Sequence, residues 1–122
     1  MPVTAFAQPG TLIPYTIERY FDIAPRSIFL GCRTREIVMA RQIALWLDHH
    51  EYFEKHNEKG WSVIGRAYGF SHGAIIHSIK TVNNDMLRRG YLKLINDIQI
   101  HIYGKVRYSK PEAPISPKIL VH

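Results

Sequence analysis

Apolar residues recur every three or four positions along most of this chain, and short segments of Gly, Pro and charge interrupt them. That periodicity predicts packed helices. Ile13, Ile17, Tyr20 and Phe21 mark the buried side of a first helix over Thr11–Phe21, where Pro14 is tolerated because it falls in the first turn. Pro25 opens a short second helix, Arg26–Leu30, and Gly31 ends it. A basic loop, Arg33-Thr34-Arg35, leads into a long helix from Glu36 to about Phe53. Between Glu36 and Leu47 only Glu36, Arg41 and Gln42 are polar, so this helix is central and surrounded by others.

A charged connector, Glu54–Gly60, precedes the most informative stretch. Ile64, Ala67 and Tyr68 share one face of a short helix, and Gly69 is placed to stop it as a left-handed cap. Ser71 then caps a further helix, in which Ile75, Ile79, Val82 and Met86 form a stripe that Ile76 widens. Gly73, His77, Lys80 and Asn84 occupy the opposite face. A helix-turn-helix presents such a narrow, weakly basic face to the major groove of DNA. An ordinary helical hairpin with a solvated polar face carries the same pattern. Asn83–Gly90 either prolongs this helix or turns the chain. Tyr91–Tyr103 fits a helix through Tyr91, Leu94, Ile95, Ile98 and Ile102, although residues 98–108 also alternate like a hairpin. Helix is the reading adopted here, since everything upstream is helical. The class is therefore all-α, a bundle of five or six helices over residues 11–104. Residues 1–10 form an irregular lead, and 105–122, with Pro111, Pro114 and Pro117, a mobile basic tail.

Composition narrows the partners. The 122 residues suffice for one domain with its own core, and 46% of them are hydrophobic. The formal net charge of +6 favours an anionic partner, nucleic acid or an anionic membrane surface. Cys32 is the single cysteine, so no internal disulfide or thiolate cluster is expected, which fits a reducing cytoplasm. There is no signal-peptide pattern and no apolar run of membrane-spanning length. Of the seven histidines, His49, His50 and His56 lie close together, but no acidic or Cys partner has ligand spacing around them, and no metal is expected. No nucleophile, base and orienting group converge, so neither catalysis nor a small-molecule substrate is expected.

These residues add up to a resemblance. Residues 35–44, Arg-Glu-Ile-Val-Met-Ala-Arg-Gln-Ile-Ala, resemble the start of the long helix in the C-terminal DNA-binding domain of DnaA, the bacterial replication initiator. Residues 64–69, Ile-Gly-Arg-Ala-Tyr-Gly, followed by His72 and His77, are similar to that domain's signature block. The likeness extends over roughly Thr11–Tyr103, with two separate motifs in the right order. It implies a Trp-repressor/DnaA C-terminal-like fold that reads double-stranded DNA in the major groove and sets a basic loop on the minor groove. By position, it places Arg33 in the minor groove, with Arg35 and Arg41 at basic positions nearby. Trp61 and Ser62 fall where the first motif helix meets a phosphate through its amides. Ser71, His72 and Gly73 begin the recognition helix, His77 matches a phosphate contact, and Lys80 follows on the same face. Within this reading His72 either reads a base edge or closes the turn on a backbone carbonyl, and Trp61 is more a core anchor than a stacking residue.

The departures are specific. The turn is one residue shorter than the family's, its aspartate is absent, and Gly73 and Ala74 stand where the family has two threonines. Gly73 offers no atom to a base edge, and Ala74 only a methyl. No Gly-rich phosphate loop with Lys and Ser/Thr occurs, so no ATPase module is expected, and the chain is expected to be a stand-alone divergent relative with no cofactor. The rival reading is a protein-interaction module that kept the fold and lost specific DNA binding, with Tyr68, Phe70, Gly73 and Ala74 as an exposed contact patch.

Overall fold

The computed structural model describes residues 12–31, 33–85 and 91–109. Among these the chain is all-helical, in the order α1 (Leu12–Phe21), a 3-10 turn (Ser27–Phe29), α2 (Arg35–His56), α3 (Trp61–Tyr68), α4 (His72–Asp85) and α5 (Tyr91–Tyr103). The helix reading of residues 91–103 holds. Asn83–Asp85 prolong α4, whereas Met86 lies outside the described residues, as do Thr11, the lead and most of the expected tail.

Helix α2 is the axis of the bundle. Ala40, Ile43, Ala44, Leu45, Trp46 and Leu47 are all buried. Five of them are consecutive, so they point to every side of the helix, and α1, the 3-10 turn, α3 and α4 pack around them. Each Ile or Leu so enclosed contributes about 1.5–3 kcal/mol relative to exposure. Ile13 and Ile17 of α1, Ile75, Ile79 and Val82 of α4, and Ile95 and Ile98 of α5 complete the core. Trp46 is fully buried, and its indole N–H donates to Asn83 Oδ1 at 2.8 Å, joining α2 to α4.

Four boundaries differ from expectation. The helix expected over residues 26–30 is only a 3-10 turn, because Arg26 sits in the left-handed region (φ 71°) and cannot join a right-handed helix. Leu30, in an extended conformation, ends it ahead of Gly31. Helix α2 takes in Arg35 and runs to His56, where left-handed Asn57 (φ 58°) stops it, its N–H bonding Phe53 O at 2.7 Å. Ala67, placed on the buried face of α3, is exposed.

At the start of the expected tail, Arg107 and Tyr108 are held by bonds to the helices. They fold back on α2 and α5. Fully buried Gln99 accepts the Arg107 and Tyr108 amides through Oε1 (3.0 and 2.8 Å) and donates to Tyr108 O (2.7 Å). Arg107 forms an ion pair with Glu54 at 2.6 Å. Tyrosines from three elements meet carboxylates spaced by three along α2: Tyr68 donates to Asp48, Tyr103 to Glu51 and Tyr108 to Glu54. Tail composition in Pro and charge concealed this docking, since one buried glutamine organises it.

Gly65 fixes how closely α3 meets the turn after it. A β-carbon there would lie 2.7 Å from Phe70 O, a backbone atom that cannot swing aside. Gly65→Ala should therefore destabilise the fold by about 1–3 kcal/mol in urea unfolding followed by circular dichroism. Gly73 is open, its nearest neighbour being Ser71 Oγ at 3.9 Å. Gly73→Ala should be neutral or stabilising by up to about 1 kcal/mol in the same assay.

Candidate nucleic-acid interface

Helices α3 and α4 and the turn between them form the helix-turn-helix. Gly69, at φ 80°, ends α3, and the amides of Gly69 and Phe70 both bond Gly65 O, at 2.7 and 2.9 Å. Ser71 caps α4, its hydroxyl accepting the Ala74 amide at 3.2 Å. Ile64 and Tyr68 of α3 and the Ile75, Ile79 and Val82 stripe of α4 are buried in the core cluster. The face that the spacing marked is outside: Gly73, His77, Lys80 and Asn84 are exposed, as are Ser62, Ser71 and His72, which the resemblance singled out.

The two helix starts are tied together. Ser62 Oγ and His72 Nε2 lie 2.8 Å apart at the surface. His72 thus closes onto a hydroxyl of α3, neither alternative weighed from the sequence. Trp61 opens α3 and is half-buried, its ring stacked on His49 (6.3 Å between centroids) with Lys59 Nζ 4.8 Å from the ring centre. It anchors the helix start through its side chain. The amides of the first turn precede the helical ladder, as at any helix N-terminus.

Arg33 and Thr34 are exposed in the basic loop, and Arg35 is exposed as the first residue of α2. The 3-10 turn before the loop is gripped by two side chains. Buried Glu18 accepts the Ile28 amide at 3.1 Å. Arg41 donates from Nε to Ile28 O (2.8 Å) and from Nη2 to Leu30 O (2.7 Å), and its guanidinium lies 5.3 Å from the centre of the Phe70 ring. Arg41, a cation placed near the basic loop by the resemblance, directs two of its donors at the protein's own backbone. Sequence reading missed Glu18, although its place beside Ile17 on the buried face of α1 was a signal. It also passed over Arg66, an exposed cation within the helix-turn-helix itself.

His49 and His50 serve packing. Both are buried; Nδ1 of His49 pairs with Lys59 O at 3.0 Å, and the His50 ring lies between Trp46 (4.2 Å) and Tyr108 (5.0 Å). His56 lies against Tyr52, and His101 is exposed beside Tyr20. Among the described residues no group of three or more His, Cys, Asp or Glu is arranged to hold a metal ion. No described helix is long and apolar enough to cross a membrane. The exposed aromatic patch of the protein-interaction reading is also reduced. Tyr68 is buried with its hydroxyl on Asp48, and Phe70 is half-buried beside Arg41.

The Tyr68–Asp48 contact pins the end of α3 to α2. Burial pushes the Asp48 carboxyl well above the usual carboxylate value; the Tyr68 hydrogen bond opposes this and nearby Glu51 adds to it. Burial, with the Asp48 charge, likewise raises the Tyr68 phenol. A raised carboxyl pKa means that protonated Asp48 favours the folded state. That contribution is complete below the unfolded value and is lost as pH rises through the folded value. Asp48→Asn cannot ionise and keeps an acceptor for Tyr68. Its stability relative to the wild type should increase as pH rises through that window, as measured by urea unfolding across a pH series. Parallel pH profiles for the two proteins would contradict the assignment.

Comparison with known proteins places this geometry. A family model described as the bacterial dnaA protein helix-turn-helix matches residues 11–82, from the start of α1 to the last core residue of α4. Three curated relatives are each a chromosomal replication initiator protein DnaA. That of Dechloromonas aromatica is 32% identical over 88 residues, covering 72% of this chain and 18% of its own length. That of Kosmotoga olearia is 29% identical over 77 residues, covering 63% and 16%. That of Desulfotalea psychrophila is 28% identical over 92 residues, covering 72% and 18%. The chain thus spans less than a fifth of the length of these relatives.

Proposed function

Because the chain belongs to the bacterial DnaA helix-turn-helix family, we propose that it binds double-stranded DNA, with α4 in the major groove and the Arg33–Arg35 loop at the minor groove. The observation that carries this reading is the exposed polar face of the helix-turn-helix. Ser62, Ser71, His72, His77 and Lys80 all face outward there, and Arg41 links its turn to the base of the basic loop. Phosphate contacts position such a domain, and base contacts specify its site. Trp61 and Ser62 would offer first-turn amides to a phosphate, and Arg33, Arg35, His77 and Lys80 side-chain donors. Arg66 joins them as a cation on the same motif. Ser71 and His72 are the polar groups at the start of α4, next to Gly73, which contributes only backbone. Base discrimination is accordingly modest for a reader of this shape. Residues 11–104 form the binding unit, closed by the docked segment 105–108.

The curated relatives are named as replication initiators, and we place this protein in the same process, as a DNA-binding participant in initiation or its control. Nothing in the site calls for a cofactor or a catalytic residue, and the partner is duplex DNA in the cytoplasm.

Titration of labelled duplexes by fluorescence anisotropy at several salt concentrations tests the proposal. With about four phosphates neutralised, log K should fall with log salt at a slope near −3.6. Absence of binding at low salt would sink it. Arg33→Ala should weaken binding more on duplexes with A·T-rich flanks than on G·C-rich ones, because a narrow minor groove attracts arginine. Equal losses on both would make Arg33 a phosphate contact only.

A further inference from the structure

The 3-10 turn and the helix-turn-helix belong to distant parts of the chain, yet one side chain touches both. The Arg41 fork closes on two carbonyls of the first, Ile28 O at 2.8 Å and Leu30 O at 2.7 Å, while its flat face lies 5.3 Å from the centre of the Phe70 ring in the second. A parallel contact backs this one: the Phe29 ring sits 5.2 Å from Tyr68, the last residue of α3, whose hydroxyl is held by Asp48. On the other side of the turn, Glu18 holds the Ile28 amide. Both backbone groups of Ile28 are therefore bonded by side chains, one from α1 and one from α2. Arg33 leaves the fold three residues beyond Leu30.

We propose that Arg41 is a positioning residue that sets the separation between the basic loop and the helix-turn-helix, and does not itself contact DNA. The inference rests on the DNA-binding reading above. Two elements that enter different grooves of one duplex must be held at a fixed spacing, to within about 0.5 Å for a productive constellation. Only arginine combines a planar fork for two carbonyls with a face that stacks on an aromatic ring; lysine supplies the same charge as a single point donor. A phosphate contact at this position would ask for a fork free to meet the ligand; in Arg41 both Nε and Nη2 are directed at backbone oxygens.

The test separates charge from geometry. Arg41→Lys keeps the net charge, and its affinity for duplex DNA should fall about tenfold or more with helicity unchanged. In nitrogen-15 spectra of the DNA-free protein, the amides of Ile28, Phe29 and Leu30 should shift together with that of Phe70. Phe70→Leu, which removes the ring but not the apolar bulk, should move the Ile28 and Leu30 amides across the same link, and it decides the matter should Arg41→Lys not fold. Wild-type affinity in Arg41→Lys would show that charge alone matters and overturn the proposal. So would Phe70→Leu if the 3-10 turn amides stayed in place. If the wild-type protein binds no duplex, the DNA reading falls by itself; the DNA-free spectra still decide the link, which stands on joint shifts and fails without them.

Discussion

Burying an indole at the centre of a bundle with its N–H unpaired costs about 1–3 kcal/mol. Trp46 meets that constraint through Asn83, and the rest of the fold is arranged around the result. The bond sets the register of α4 on α2, which in turn determines which face of α4 looks outward. Ile75, Ile79 and Val82 go in, so His77 and Lys80 must come out. The exposed face of α4 is thus a consequence of core packing on the far side of the same helix.

Close backbone approach does the equivalent work in the turn. With no β-carbon at Gly65, α3 comes near enough for one carbonyl to accept two successive amides, and the chain reverses within a few residues. Ser71 then starts α4 beside the start of α3, and the Ser62–His72 bond ties the two together. Glycine conformation and capping set the geometry of this turn, and Gly73 at the start of α4 sits in open space.

Carboxylates organise the edges of the bundle. Glu18 holds the 3-10 turn, Asp48 holds α3, and Glu51 and Glu54 hold α5 and the segment after it through tyrosine hydroxyls. Each acid lies on a helix next to apolar residues, and each partner is a donor from a different element. A basic protein thus keeps several of its acids on internal bonds, leaving the outward faces of the loop and the helix-turn-helix to arginine, lysine and histidine.

Periodicity by itself determined the helical class, the central place of α2, the stop at Gly69, the Ser71 cap and the inward stripe of α4, because these follow from local backbone preference and from the spacing of apolar side chains. It also marked Gly73, His77, Lys80 and Asn84 as outward, since they lie off that stripe, whereas Ser62 and His72 were singled out only by the family resemblance. Only the tertiary structure decided the rest. Arg26 in a left-handed conformation cut a predicted helix to a 3-10 turn, a choice made by how the chain must climb from α1 to α2. Gln99 captured residues that composition marked as tail. Arg41, a cation beside other cations in sequence, was turned onto two carbonyls and a ring that lie far from it along the chain. A side chain's partners depend on distances between elements, and those distances exist only once the elements have packed.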